Sequence, residues 1–450
     1  MNRAVLINVR DRVLARMRQA DFAGADPFDG LESRLFQASG LGRFRIARLI
    51  WLQAIKRGPG AVRRFAMIPP MMNPKTLALL NGGAGGVRLG DFSGQLIAMQ
   101  NADGGWGYPF EWQARAFYAR RHQSNAIVTS FVIDGLLAGG MTPDHASLIR
   151  AGEFIARDLW RDGYFAYFDH DASEIHNASL WAAFALNRIL PGNEKSRRAL
   201  VRVINAQCDD GSWAYGTRGH HGFVDGFHTG YILDLLDRFR TTGVEGAEIG
   251  RLDGVIVRGW QFYRTNCFDP DGIPRSFASK DGYLDAHAAA QAMASLCRFG
   301  EVVNAVRLAH WAVQMLFDPA RDVFHAGIGR FGVDRQNYLR WTQAWMVWAL
   351  SIVIERMASK QQETPMPTLD PNAALSFPHP DPDRADKEAA LRNLSEDAFR
   401  TLYAITRAEA VRMKNTGEME ALYGLTRGMK TLQRIGGERG IILRIARSGA

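Results

Sequence analysis

The residue types and spacing that best suit chemistry fall between Gly211 and Tyr231, in the run GSWAYGTRGHHGFVDGFHTGY. Asp225 and His228 stand three residues apart at the start of a helical pattern, so both side chains share one face of a helix end. A carboxylate beside an imidazole can move a proton near neutral pH. The same arrangement recurs along the chain. Asn125, Asn177, His228, His287 and Trp341 follow one another at intervals of 51 to 59 residues, with His176, Asp285, Gln291, Arg340 and Gln343 close by. Helix N-termini favour anionic and hydroxylated ligands through their unpaired N–H groups. Asn and Asp also serve as plain helix caps, but His, Gln, Trp and Arg are not preferred there. A shared polar site is therefore the expectation.

Asp225, His228, Asp285 and His287 are the candidate catalytic residues, with Tyr231 and Tyr283 as possible proton donors. Glycoside hydrolysis would use two carboxylates. Epimerisation or β-elimination would use a base, a charge-neutralising group and a proton donor. Spacing alone does not choose among them. The turns ahead of the helix starts carry Trp106, Tyr108, Trp112, Trp213 and Tyr215, flat rings that either stack on sugars or staple the chain together. The run EWQARAF adds Glu111, Gln113 and Arg115. Arg115 and Arg340 could pair bidentately with a substrate carboxylate or phosphate. The expected substrate-binding set is completed by Asn125, His176, Asn177, Tyr231, Gln291, Trp341 and Gln343. No HExxH motif, Cys/His cluster, Walker loop or dinucleotide fingerprint is present, so neither a metal nor a cofactor is expected.

Positioning these residues takes a repeating framework. Turns of one kind recur as QNADGGWGY (Gln100–Tyr108), DLWRDGYFAY (Asp158–Tyr167) and QCDDGSWAY (Gln207–Tyr215). Each closes one helix and feeds the next, and two helices per 50–60 residues make an array of helical hairpins. Counting one more hairpin at residues 41–101 gives about six. Six hairpins close into an all-α fold, an α/α toroid. Almost nothing alternates at period 2, so little sheet is expected. The division expected is a basic amphipathic N-terminal helix (1–25), the toroid (26–360), a Pro-rich linker (361–386) and a C-terminal helical extension (387–450).

The chain has 450 residues, 47% of them hydrophobic and 22% charged, which is ordinary globular composition. Three cysteines without CxxC spacing fit a reducing compartment. No secretory signal or apolar run of spanning length is visible, and a cytoplasmic protein is expected. Most of the +9 net charge lies in residues 1–72, with 13 Lys/Arg against 5 Asp/Glu. Val5, Leu6, Val9, Val13 and Met17 share a helical face among arginines, a pattern suited either to an anionic membrane surface on the inner face or to packing. Nothing points to nucleic acid.

The turns Gln100…Asp103-Gly104-Gly105-Trp106 and Gln207…Asp210-Gly211-Ser212-Trp213 resemble the glutamine–tryptophan repeats of the squalene cyclase and protein prenyltransferase superfamily. The stretches DPFDGLESRLF, NPKTLALL, WGYPFEWQARAF, DGFHTGYILDLL and YLDAHAAAQAM, spread over residues 26–355, resemble toroidal proteins of bacterial exopolysaccharide biosynthesis. That resemblance implies an α/α toroid and a polysaccharide or lipid-linked sugar as substrate. It supplies no mechanism. Two rivals stay open: an isoprenoid-handling enzyme, although no DxDD cluster is present, and a non-catalytic glycan-binding scaffold.

Overall fold

A computed structural model describes residues 2–58, 60–113, 118–242, 247–278, 282–330, 332–362, 373–378, 381, 384–441 and 443. The chain divides into two compact units, Met1–Met357 and Ala358–Ala450.

The first unit is an α/α toroid. Its inner helices are Pro74–Leu80, Ala126–Ala138, His176–Ile189, Gly226–Thr242, Ala286–Arg298 and Trp345–Gln362. They pack in chain order as far as Ala286–Arg298, and the turn Leu339–Ala344 that opens the last one packs on both Ala286–Arg298 and Pro74–Leu80, which closes the ring. The seam is fastened where Trp348 Nε1 donates to the Gly83 carbonyl at 3.1 Å. The inner helix Ala126–Ala138 is buried without a break from Ala126 to Leu136, so it is covered all round and shows no exposed polar stripe. The outer helices, such as Glu194–Asn205, bury one stripe only: Ser196, Ala199, Leu200, Val203 and Ile204.

The recurring turn works as a staple. Asp103 Oδ1 accepts from the Gly105 amide at 2.9 Å, and Asp210 Oδ1 from the Ser212 amide at 2.9 Å. Gly104 and Gly211 take φ of 95° and 90° between them, where a Cβ would be strained. Gln100 Nε2 donates to Gly104 O and on to Ser147 O in the next outer helix; Gln207 does the same with Gly211 O and Val255 O. The indoles of Trp106 and Trp213 donate back to Leu96 O and Val203 O of the preceding helix. Each turn thus ties one outer helix to the next.

One expectation, the hairpin at residues 41–101, is corrected here, and one alternative is resolved. Of the two readings of the N-terminal helix Arg3–Gln19, packing is the one the structure takes: Leu6, Val9, Val13 and Met17 are buried in the main core. It packs beside Val302–Leu316, and Arg3 Nε donates to Ile354 O, so it fills the outer place opposite the last inner helix. Conversely, the helix Arg45–Arg57 belongs to no hairpin of the ring. It packs through Leu52 into a small cluster with Leu31 and Phe36. The first hairpin is Pro74–Leu80 with Ser93–Ala98.

Among the described residues, strands are two or three residues long. In the sheet that matters, Leu284–Asp285 pairs with Gly327–Gly329, which pairs with Gly332–Asp334. It holds Asp285 in extended backbone immediately before its helix. The second unit carries helices Arg384–Asn393, Glu396–Thr416 and Met419–Glu438 around its own core of Leu375, Phe377, Leu391, Phe399, Leu402, Leu432 and Ile435. Much of the Pro-rich stretch 361–386 lies outside the described residues.

Candidate active site

The inner helices start at one end of the toroid, and there the ring opens into a cavity of about 1030 Å³. Asp225, His228, Asp285 and His287 all line it. Asp225 and His228 hold each other: Asp225 Oδ1 caps the His228 amide at 2.8 Å, and Oδ2 accepts from His228 Nδ1 at 2.6 Å. An ionised carboxylate only accepts, so Nδ1 carries the proton and Nε2 is the basic nitrogen. This is what the i,i+3 spacing allows once Asp225 is the residue before the helix.

Asp285 caps the next inner helix through the His287 amide, at 2.9 Å. Both its oxygens also accept from Trp341 Nε1, at 3.0 and 2.8 Å. Burial outweighs these donors and raises its carboxyl to about 6. His287 is 1% exposed, and its ring stacks between Phe227 and Trp345, at 4.8 and 4.4 Å between centroids. The Tyr231 hydroxyl lies 2.9 Å from His287 Nε2. Desolvation first, then the charges of Lys75 and Arg340, hold the His287 pKa well below its usual value, so the ring is neutral at pH 7. His287 Nδ1 and Asn177 Nδ2 are buried without a protein partner, and both residues line the cavity. Unsatisfied donors or acceptors of this kind point to a ligand or water.

Of the expected binding residues, Tyr108, Trp112, Asn177, Tyr215, Tyr231, Arg340 and Trp341 also reach the cavity. Others are corrected. Trp106 and Trp213 are core staples, 0% and 2% exposed. Asn125 caps its helix through the Val128 amide. His176 Nδ1 is bonded to Ala214 O. Gln291 binds Asp234 and Ser295, and Gln343 binds the Phe324 backbone and Asn337. Gln113 is taken by Arg48. Glu111 sits beside Tyr118, and its amide donates to Glu32. Each of these eight polar or aromatic groups is engaged by a protein partner instead of lining the cavity, because a polar atom taken out of water pairs with the nearest backbone or side-chain group. The Arg340 guanidinium, expected to clamp a substrate anion, is spent on Asp26 in a buried pair at 2.5 and 2.8 Å. Arg115 lies outside the described residues.

The sequence reading missed Lys75. It follows Pro74 in the first inner helix, is 3% exposed, and lines the cavity. Its Nζ lies 3.9 Å from the centroid of Phe131 and 5.5 and 5.4 Å from those of Tyr231 and Trp345. Desolvation, then Arg340, lower its pKa well below the ordinary lysine value. A lysine in the run NPKTLALL signals nothing by itself, because lysines in a first turn usually face water. Phe28, Phe110, Tyr167, Phe223, Phe227, Phe277, Tyr283 and Tyr338 add to the aromatic wall.

Among the described residues, no group of three or more His, Cys, Asp or Glu is arranged to hold a metal ion. No described helix is long and apolar enough to cross a membrane.

No protein-family model and no curated protein sequence matches the chain. Solved structures similar to it include a sugar epimerase from a ruminal bacterium, at 13% identity and TM-score 0.47, covering 63% of this chain and 86% of that one. Cellobiose 2-epimerase from Spirochaeta thermophila matches at 11% identity and TM-score 0.44 over 64% of this chain and 87% of that one. The ent-copalyl diphosphate synthase from Streptomyces platensis matches at 15% and 0.43, over 69% of this chain and only 55% of that one. At such identities and scores they say nothing of this chain's chemistry.

Proposed function

We propose that the protein is an acid–base enzyme acting on a sugar, an epimerase or lyase of bacterial exopolysaccharide biosynthesis, with a polysaccharide or lipid-linked sugar as substrate. The observation that carries this reading is the presence of two imidazoles of different character in one aromatic cavity. His228, oriented by Asp225, is the base. His287 with Tyr231 forms a neutral pair able to return a proton. Both carboxylates line the cavity but are engaged by N–H donors, which favours proton transfer over the two-carboxylate route of hydrolysis. Rings such as Tyr108, Trp112 and Tyr215 offer faces for sugar stacking. Lys75, an amine at the cavity wall, suits a substrate with a carboxylate, phosphate or carbonyl group.

Incubation in heavy water with reducing disaccharides and uronate oligosaccharides tests this. Deuterium should appear at a sugar carbon, followed by magnetic resonance, and His228→Ala should abolish it. No exchange with any sugar, together with failure of both His228→Ala and His287→Ala to alter the glycan in a complemented deletion strain, would sink the reading. Glycan binding that survives both changes would instead make the protein a scaffold.

The isoprenoid reading draws support from the same rings. Against it, the Lys75 amine already fills the aromatic box in which a carbocation would have to sit. A cyclised product from an isoprenoid diphosphate would establish it.

A further inference from the structure

The N-terminal helix spends its apolar face on the core, but the first unit bares another basic and apolar face. On the helix Arg45–Arg57, Leu52 and Ile55 point inward, whereas Ile46 and Ile50, one turn apart, are 70% and 66% exposed. Leu41 and Phe44 lead into this helix and are exposed as well, and Phe65, in the short helix that packs on it, is 75% exposed. Clustered apolar side chains this bare mark an interaction surface.

The charges select the partner. No Asp or Glu occurs between Glu32 and Asp91. Arg43, Arg45, Lys56 and Arg64 are exposed among the apolar residues. Two other arginines of the segment turn inward, Arg48 to Gln113 and Arg63 to the buried Asp29. We propose that this face docks the protein on an anionic lipid bilayer, the apolar side chains entering the acyl boundary and the arginines meeting the headgroups. A protein partner would need a matching acidic, apolar groove; an anionic bilayer supplies both features by its nature. The helix ends at the cavity wall, which Lys56 and Gly58 help to line, so docking brings that wall close to the lipid surface. The proposal is independent of the reaction inside the cavity.

The test is flotation of the full chain with vesicles of phosphatidylcholine alone or mixed with phosphatidylglycerol. The wild type should float with the mixed vesicles, and less so as salt screens the charges. The pairs Ile46→Asn/Ile50→Asn and Arg43→Gln/Arg64→Gln should each lower the bound fraction about tenfold. The control pair Val257→Asn/Val303→Asn, also on exposed apolar positions, should not. Thermal melts guard against unfolding, and the arginine pair stands as a second variant if the isoleucine pair melts early. Failure of the wild type to float with mixed vesicles overturns the proposal, and so does unchanged flotation of both pairs. It is equally overturned if the wild type self-associates and Ile46→Asn/Ile50→Asn only disperses it, which makes the face a protein interface.

Discussion

The hydroxyl of Tyr231 lies 2.9 Å from Nε2 of His287, across 56 residues of sequence, and closes the inner wall of the cavity. The imidazole is stacked between two aromatic rings and out of water; burial, then the charges of Lys75 and Arg340, keep it neutral, and the Tyr231 bond occupies Nε2. Tyr231→Phe leaves Nε2 buried without a partner, which costs about 1–3 kcal/mol of stability. If the pair is the proton donor, turnover should fall by about 10²–10⁴ while sugar binding holds. Equal loss of binding and turnover would make the bond merely structural.

His287 should stay neutral across the physiological range. Its folded pKa is depressed, so the unfolded chain binds the proton more tightly, and stability is lost as pH falls through about 6.5. Its imidazole resonance should therefore not titrate at the ordinary histidine value. His287→Gln should show a smaller loss of melting temperature than the wild type on acidification. A resonance titrating at the ordinary histidine value would show the ring to be solvated.

Asp285 works with the opposite sign. Its carboxyl is raised to about 6, so the folded chain holds the proton more tightly than the unfolded one. The stability it contributes is complete below about pH 4 and is lost as pH rises through about 6. The melting temperature of the wild type minus that of Asp285→Asn should therefore fall as pH rises from about 4 to about 7. A flat difference would mean that its donors, Trp341 and the His287 amide, outweigh burial.

Lys75→Met should stabilise the fold and impair its function. The amine is buried among Phe131, Tyr231 and Trp345, and an apolar side chain of similar length removes its desolvation cost. A gain of about 1–2 kcal/mol by chemical denaturation is expected, with turnover lost. Unchanged turnover would leave Lys75 without a role in the site.

The staples predict effects on stability alone. Trp213→Ala empties a buried site and should cost about 3–5 kcal/mol. Gly259→Ala would place a Cβ 2.7 Å from the same indole and should cost about 1–3 kcal/mol by overpacking. Both are measured by denaturant unfolding. Activity per folded molecule that fell with either would put Trp213 in the site after all.

What the sequence determined was local or periodic. The Gln–Asp–Gly–Trp turns recur because each must reverse the chain and tie neighbouring helices. Their spacing gave the hairpin array and placed Asp225 with His228 on one helix end, since both lie within one turn. The tertiary structure decided whatever depends on ring closure. Arg340 is spent on Asp26, 314 residues away, and Trp348 on Gly83, 265 residues away. No periodicity encodes such pairs, because each forms only when the two ends of the first unit come together. Closure also gave Arg3–Gln19 its place in the outer ring and put Lys75 inside an aromatic box assembled from three different helices. A tryptophan that staples and one that faces a ligand look alike in sequence. Only the direction of the indole N–H, into a neighbouring carbonyl for Trp106 and Trp213 and onto Asp285 for Trp341, tells them apart.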